Sequence, residues 1–113
     1  MGRLILREKT AADYALIEQA IIKHFILANL GHDVRRLVMD KMDLYEFDED
    51  AVIFKQDDHA TYFYVDLQGV LEVHINGRKI KEIHRGDSFG ELALITDAPR
   101  SATISCIQNS SLW

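Results

Sequence analysis

At Leu44 the spacing of apolar residues changes, and no other feature of the chain limits its fold as strongly. Before that point Leu16, Ile17, Ala20, Ile21, Phe25 and Ala28 recur at close to helical intervals. After it, short strand-like runs take over at Ala51–Lys55, Tyr62–Leu67, Val70–Ile75, Lys79–Ile83 and Ala102–Ile107. Between Leu71 and Ile75 the alternation is clean, with Leu71, Val73 and Ile75 on one face and Glu72 and His74 on the other. Asn76-Gly77 joins two such runs and predicts a hairpin, because both turn positions favour positive φ. Short strands with closely spaced turns predict a sandwich or barrel, not a parallel sheet.

The N-terminal part, residues 1–43, reads as a helical segment. Thr10 with Asp13 three residues later resembles a capping box. The apolar spacing predicts one helix running from there to Ala28, with Gly31 placed to end it in a left-handed cap. A second helix is predicted over Val34–Met42, with Val34, Leu37, Val38 and Met42 on one face. Nothing from Arg3 to Met42 carries catalytic chemistry. That segment reads as packing and as a moving part.

Size and charge narrow the functions. The 113 residues suit one domain with a modest core, and no apolar run approaches the ~20 residues of a membrane span. Met1-Gly2-Arg3 opens no secretory signal, and a single Cys106 allows no internal disulfide, so a cytoplasmic location is expected. Thirteen basic against eighteen acidic side chains give a formal charge of −5, which makes nucleic acid an unfavourable partner. An anionic ligand would have to be met by a local arrangement of backbone N–H groups and an arginine.

One segment breaks the alternation, from Gly86 through Phe89-Gly90-Glu91-Leu92-Ala93-Leu94-Ile95 to Pro99-Arg100-Ser101-Ala102-Thr103. It reads as a glycine-marked turn entering one short helical turn, Leu92–Ile95, before Pro99 forces an extended chain. Gly90 lets a ligand approach the backbone, and N–H groups at the start of the turn form an anion seat. If the turn folds back, Glu91 and Arg100 flank one small cavity. A guanidinium fork meets a phosphate, and a carboxylate accepts the proton of a sugar hydroxyl. Taken singly, a Glu/Arg pair is more often a surface ion pair of little worth.

Taken together, these residues resemble the phosphate-binding cassette of cyclic-nucleotide-binding domains, in particular those of the cAMP- and cGMP-dependent protein kinases. The resemblance extends back through Phe63-Tyr64-Val65, Gln68-Gly69, Val73, Asn76-Gly77 and Gly86, and forward to Leu112-Trp113. It covers residues 44–113 well and the N-terminal helices loosely. It implies an antiparallel β-roll, a jelly-roll-like barrel of about eight strands, with an N-terminal helical bundle and a short phosphate-binding helix. It further implies that Glu91 binds the ribose 2′-hydroxyl and Arg100 the cyclic phosphate. Backbone amides around Gly90, Leu92 and Ala93, with Ala102, would complete the cradle, and Phe89, Leu92 and Leu94 would anchor it. Ser101 stands at the selectivity position. A hydroxyl there is the tendency of cGMP-dependent kinases and alanine that of cAMP-dependent ones, so cGMP is expected to be preferred, although some bacterial cAMP-responsive regulators also carry serine.

Two departures stand out. Where the family has a Gly-Asp-x-Gly-Asp loop, this chain reads Asp57-Asp58-His59-Ala60-Thr61, so a loop of different shape is expected. The family's C-terminal helices, which lay a lid over the base, would begin near Trp113. The resemblance implies a regulatory, non-catalytic module without metal or cofactor, whose partner is a kinase catalytic domain. Other readings are the sensor half of a bacterial-type transcription regulator, a domain that has lost its ligand, and a metal-dependent barrel enzyme. His59, His74 and His84 lie too far apart along the chain for the close His-x-His pair the last would need. Cys106 reads as an inert, half-buried thiol. The aromatic residues at 62–64 read as sheet residues, not a base-stacking platform.

Overall fold

The computed structural model describes residues 2–59, 62–90 and 99–113, with backbone alone at 25 and 26. In chain order the elements are β1 (Arg3–Ile5), α1 (Ala11–Ile22), α2 (Phe25–Ala28), α3 (His32–Asp40), β2 (Leu44–Phe47), β3 (Val52–Phe54), β4 (Tyr64–Gln68), β5 (Leu71–Ile75), β6 (Arg78–Ile83), β7 (Ser88–Phe89), β8 (Thr103–Cys106) and β9 (Ser110–Leu112). A five-stranded sheet has the order β1-β2-β9-β4-β7 and a four-stranded sheet the order β3-β8-β5-β6. Every pairing is antiparallel. The predicted class, mainly β with flanking helices, is the observed one. The described residues hold nine strands against about eight expected, because residues 3–5 pair with β2 and add an edge strand.

Two apolar cores organise these layers. Between the sheets lie Phe47, Leu71, Val73, Ile83, Phe89, Ala102, Ile104, Cys106 and Leu112. On the other side of the five-stranded sheet, Ile17, Ala20, Ile21, Leu27 and Met39 of the helices pack on Leu44, Phe63, Val65 and Trp113. Strand β4 separates the two. With a side-chain period of two, Val65 and Leu67 serve the helical core while Tyr64 serves the inter-sheet core. Trp113 extends β9 beyond Leu112 and exchanges both backbone bonds with Val65, each 2.9 Å. Its ring is covered by the cationic heads of Arg7 and Lys9, 5.2 and 4.9 Å from the centroid.

The expected capping box at the start of α1 is present. The Asp13 amide donates to Thr10 Oγ1 (3.2 Å), and the Thr10 amide donates to the Asp13 carboxylate (2.8 Å). Arg7 adds a 2.7 Å ion pair, and these contacts, Arg7 first, pull the Asp13 carboxyl down to about 2.

The rest of the helical reading needs correction. The helix ends at Ile22 and not at Ala28, and a separate turn, α2, follows. The apolar spacing ran on across the break because both pieces bury residues in the same core, Ile17, Ala20 and Ile21 from one and Leu27 from the other. Gly31 is extended, with φ −62° and ψ 156°, and it starts α3; its carbonyl accepts from the Arg35 amide (3.0 Å). The second helix spans His32–Asp40, and its inner face is not the predicted one. Val34 and Leu37 are exposed, whereas Met39 is buried, with Val38 and Met42 packed beside the core. The helix is turned so that Arg35, one turn before Met39, faces inward and donates to the Leu30 carbonyl (2.7 Å).

The hairpin prediction holds. Asn76 (φ 53°) and Gly77 (φ 78°) form the turn between β5 and β6, with Ile75 opposite Arg78. Leu71 and Val73 point inward, and Glu72 and His74 lie on the half-exposed face. Among the described residues, no helix is long and apolar enough to cross a membrane.

Candidate functional site

The candidate site forms where the end of β7, the segment entering β4 and the turn after β3 converge on Arg100. At Gly90 the chain leaves β7 with a φ of +81°. A Cβ there would fall 2.7 Å from Arg100 Nη1 and 3.0 Å from the Tyr62 carbonyl oxygen, so only glycine fits without displacing one of them. Arg100 is 7% exposed. Its Nη1 donates to the Gly90 carbonyl (3.2 Å), its Nη2 to the Tyr62 carbonyl, and its guanidinium lies 3.9 Å from the centroid of the Phe54 ring. Buried arginines persist when their donors are met, and here backbone carbonyls and an aromatic face contribute.

The main chain at Arg100 is as firmly held as its head. Its amide donates to the Asp58 carbonyl and its carbonyl accepts from the Asp57 amide, both at 2.8 Å. Asp57 adopts φ +75°, a left-handed backbone that aspartate tolerates better than most residues other than glycine. The Lys55 amide donates to Asp58 Oδ2 (2.9 Å) and the Gln56 amide to Thr103 Oγ1 (2.8 Å), which stitches the turn to β8. Beneath, the rings of Phe54, Tyr64 and Phe89 form one cluster, with Tyr64 and Phe89 stacked at 5.2 Å. Burial pushes the Tyr64 hydroxyl up.

The structure therefore brings Gly90 and Arg100 together. Ser101 follows as an exposed side chain, and Ala102 is buried in the inter-sheet core. Glu91, Leu92 and Ala93, the helical turn Leu92–Ile95 and the anchor Leu94 lie outside the described residues. Phe89 is buried between the sheets. Tyr62 is 67% exposed and precedes β4, so it is not a sheet residue as the aromatic run suggested; Phe63 is buried and Tyr64 begins the strand. Phe54 and the Tyr62 carbonyl went unnoticed as site groups because their link to Arg100 spans 46 and 38 residues and leaves no local pattern.

Gly90→Ala tests this packing. The methyl group meets Arg100 in a backbone conformation strained for alanine, at a cost of about 1–3 kcal/mol in stability. Urea titration and calorimetry are expected to show both lower stability and at least tenfold weaker ligand binding. Wild-type values in both would mean that the bend and the guanidinium do not constrain each other.

Other residues singled out in the sequence have plain surroundings. Among the described residues no three His, Cys, Asp or Glu side chains are placed to hold a metal ion. His74 of β5 sits beside Glu72 (3.4 Å), His84, just past the end of β6, sits beside Glu82 (3.2 Å), and His59 is exposed. Cys106 is fully buried where half-burial was expected, and burial pushes its thiol up, away from the reactive thiolate.

One buried group was not expected at all. Asp66 of β4 has no exposed surface, and among the described residues neither carboxylate oxygen makes a well-formed hydrogen bond, the Gln68 amide offering only a weak one. Strand alternation sends its side chain to the inter-sheet side, opposite Leu112 in register. Burial, then the nearby Asp87 charge, pushes its carboxyl up to about 7. Its backbone bonds, to Asp87 (2.9 Å) and from Gly86 (2.8 Å), tie β4 to the turn that leads into β7. From the other side, His24 hydrogen-bonds Ser88 of β7 across to the helical layer.

A model of the cyclic nucleotide-binding domain matches residues 44–113, more than half of the chain. The chain belongs to that family. A cyclic nucleotide-binding domain is a regulatory ligand-binding domain and not a catalytic one. Over 99% of its length the chain is 31% identical to a cGMP-dependent protein kinase of Plasmodium berghei, of which it spans 13%. Identity is also 31% to the cGMP-dependent protein kinase of Toxoplasma gondii, of which it spans 11%. Among solved structures, the regulatory domain of Toxoplasma gondii PKA with cAMP superposes with a TM-score of 0.78 at 27% identity. That match covers 94% of this chain and 42% of the other. The chain thus spans a small part of the curated relatives it matches.

Proposed function

We propose that this cyclic nucleotide-binding domain takes its ligand at the Gly90–Ala102 segment, prefers cGMP, and regulates a kinase catalytic domain linked to it in the cytoplasm. The observation that carries the reading is the buried Arg100 guanidinium held across the Gly90 bend. A buried, fixed guanidinium suits a singly charged phosphate, because its planar fork matches the phosphate oxygens. Glu91 then accepts the ribose 2′-hydroxyl proton, and the amides of Gly90, Leu92, Ala93 and Ala102 complete the phosphate cradle. Ser101, exposed beside Arg100, contributes a hydroxyl toward the phosphate and the base. The relatives named cGMP-dependent protein kinases support both the kinase output and the cGMP preference.

Ligand shifts a regulatory equilibrium only through different affinities for two states. Phosphate capture would draw the Leu92–Ile95 turn inward and let the flanking helices repack, and the His24–Ser88 hydrogen bond gives β7 a direct connection to them. That repacking would relieve inhibition of the catalytic domain.

A second reading, cAMP as the physiological ligand, is favoured by the likeness to a PKA regulatory domain described with cAMP. Parallel calorimetric titrations with cGMP and cAMP decide between them. Measurable binding of both is expected, with cGMP tighter, and Ser101→Ala should weaken cGMP more than cAMP. Equal or tighter cAMP binding by the wild type would remove the cGMP preference and leave the ligand class intact.

A further inference from the structure

The strongest unassigned feature beside the site is an aromatic ring, Phe54, which packs at the edge of the inter-sheet core and also faces the Arg100 guanidinium. Phe54 is half-buried at the end of β3, before the turn whose Asp57 and Asp58 hold the main chain of Arg100. Its ring faces the Arg100 guanidinium at 3.9 Å, a distance at which the negative π face attracts the cation and a planar group can lie flat on it. The ring is itself fixed by neighbours, Phe89 at 6.0 Å and Tyr64 at 6.3 Å between centroids. On another side the same guanidinium meets the Gly90 and Tyr62 carbonyls. Carbonyls from two segments hold the fork from one side, and the ring backs it from another. A free arginine side chain carries about 2 kcal/mol of rotamer entropy, which pre-orientation removes from binding.

We infer that Phe54 is a positioning residue for phosphate recognition, holding the Arg100 guanidinium in the orientation in which its planar fork is presented to the cyclic phosphate. The inference rests on the proposed role of Arg100. A structural role alone would need only apolar volume at this position, whereas positioning needs a π face and acts only through the guanidinium.

The test is calorimetric titration of the domain with cGMP and with cAMP, with thermal melting to confirm folding of each variant. Phe54→Leu is expected to weaken both ligands about 5- to 30-fold, and Phe54→Tyr, which keeps the face, to stay within about threefold of wild type. The double variant F54L/R100K is expected to lose no more than about twofold beyond R100K, because lysine has no planar group for the ring to orient. Wild-type affinity in Phe54→Leu, equal losses in the Leu and Tyr variants, or a full Phe54→Leu penalty on top of R100K would each overturn the inference. Wild-type affinity in R100K would instead overturn the reading of Arg100 on which it rests. A weakened R100K beside an unaffected Phe54→Leu would overturn the positioning role alone.

Discussion

Arg100→Ala is expected to lower cyclic-nucleotide affinity by about 2–5 kcal/mol, roughly 30- to several-thousand-fold, because it leaves the bound phosphate charge buried without its partner. The domain's own field offers no replacement, since its formal charge is −5. The variant also leaves the Gly90 and Tyr62 carbonyls without the guanidinium they accept from, so some loss of stability accompanies the loss of affinity. Melting curves separate the two effects. A variant that is folded at the assay temperature and still binds weakly has lost the ligand contact. Glu91→Gln should be milder and should chiefly erode discrimination against 2′-deoxy ligands. Calorimetry that returned wild-type affinity for Arg100→Ala would place the site elsewhere.

The second large effect concerns stability. Asp66→Val should stabilise the domain at pH 8 by about 2–4 kcal/mol, because it removes a buried carboxylate that is poorly hydrogen-bonded among the described residues and replaces it with a strand-favouring apolar side chain. The wild-type carboxyl sits at about 7 against 3.8 for an ordinary aspartate. At about 1.4 kcal/mol per unit, its ionisation costs the fold on the order of 4 kcal/mol. The sign follows from proton uptake: between these two values the folded chain holds a proton that the unfolded chain has released. Asp66 therefore leaves stability intact below about pH 4 and takes it away as pH rises toward 7. Asp13 works in the opposite sense. Held near 2 by Arg7 and Thr10, it contributes stability above about pH 4 that is lost as pH falls through 2. The difference between wild type and Asp66→Val in urea denaturation, followed from pH 4 to 8, isolates the first effect. A constant difference across that range, or no gain at pH 8, would refute it.

The legible parts of the fold were those written in neighbouring residues. Thr10 with Asp13, Asn76 with Gly77, and Leu71 with Val73 each carry their structural meaning within a few positions. The short strands β1, β7 and β9 carry no such period, because two or three residues become a strand only when a distant partner supplies the ladder. Apolar spacing concealed the break after Ile22, since the chain turns there without leaving its core. Gly31 suits either end of a helix, and only the inward Arg35 and Met39 decide which. Of the candidate site, Gly90 and Arg100 were visible as a motif. Phe54 and the Tyr62 carbonyl were not, being brought in by the turn after β3 and the entry to β4. Asp66 was invisible for a different reason: an aspartate within an alternating run reads as a solvent-facing residue, and β4 has no solvent face.

Strand β9 lies between β2 and β4, with Tyr45 opposite Leu112 on one side and Asp66 opposite Leu112 on the other. Without it the five-stranded sheet is two disconnected ribbons, β1-β2 and β4-β7. A ribosome delivers Ser110–Leu112 after β1 to β8 have emerged, so the nascent chain holds those ribbons apart until β9 inserts. The domain's assembly is then dominated by pairing between residues far apart in sequence, which places it among slow folders, on the scale of milliseconds to seconds. Until β9 arrives, the facing edges of β2 and β4 are open ladders, and the interval of translation before residue 110 is when this chain most needs protection from pairing with its neighbours.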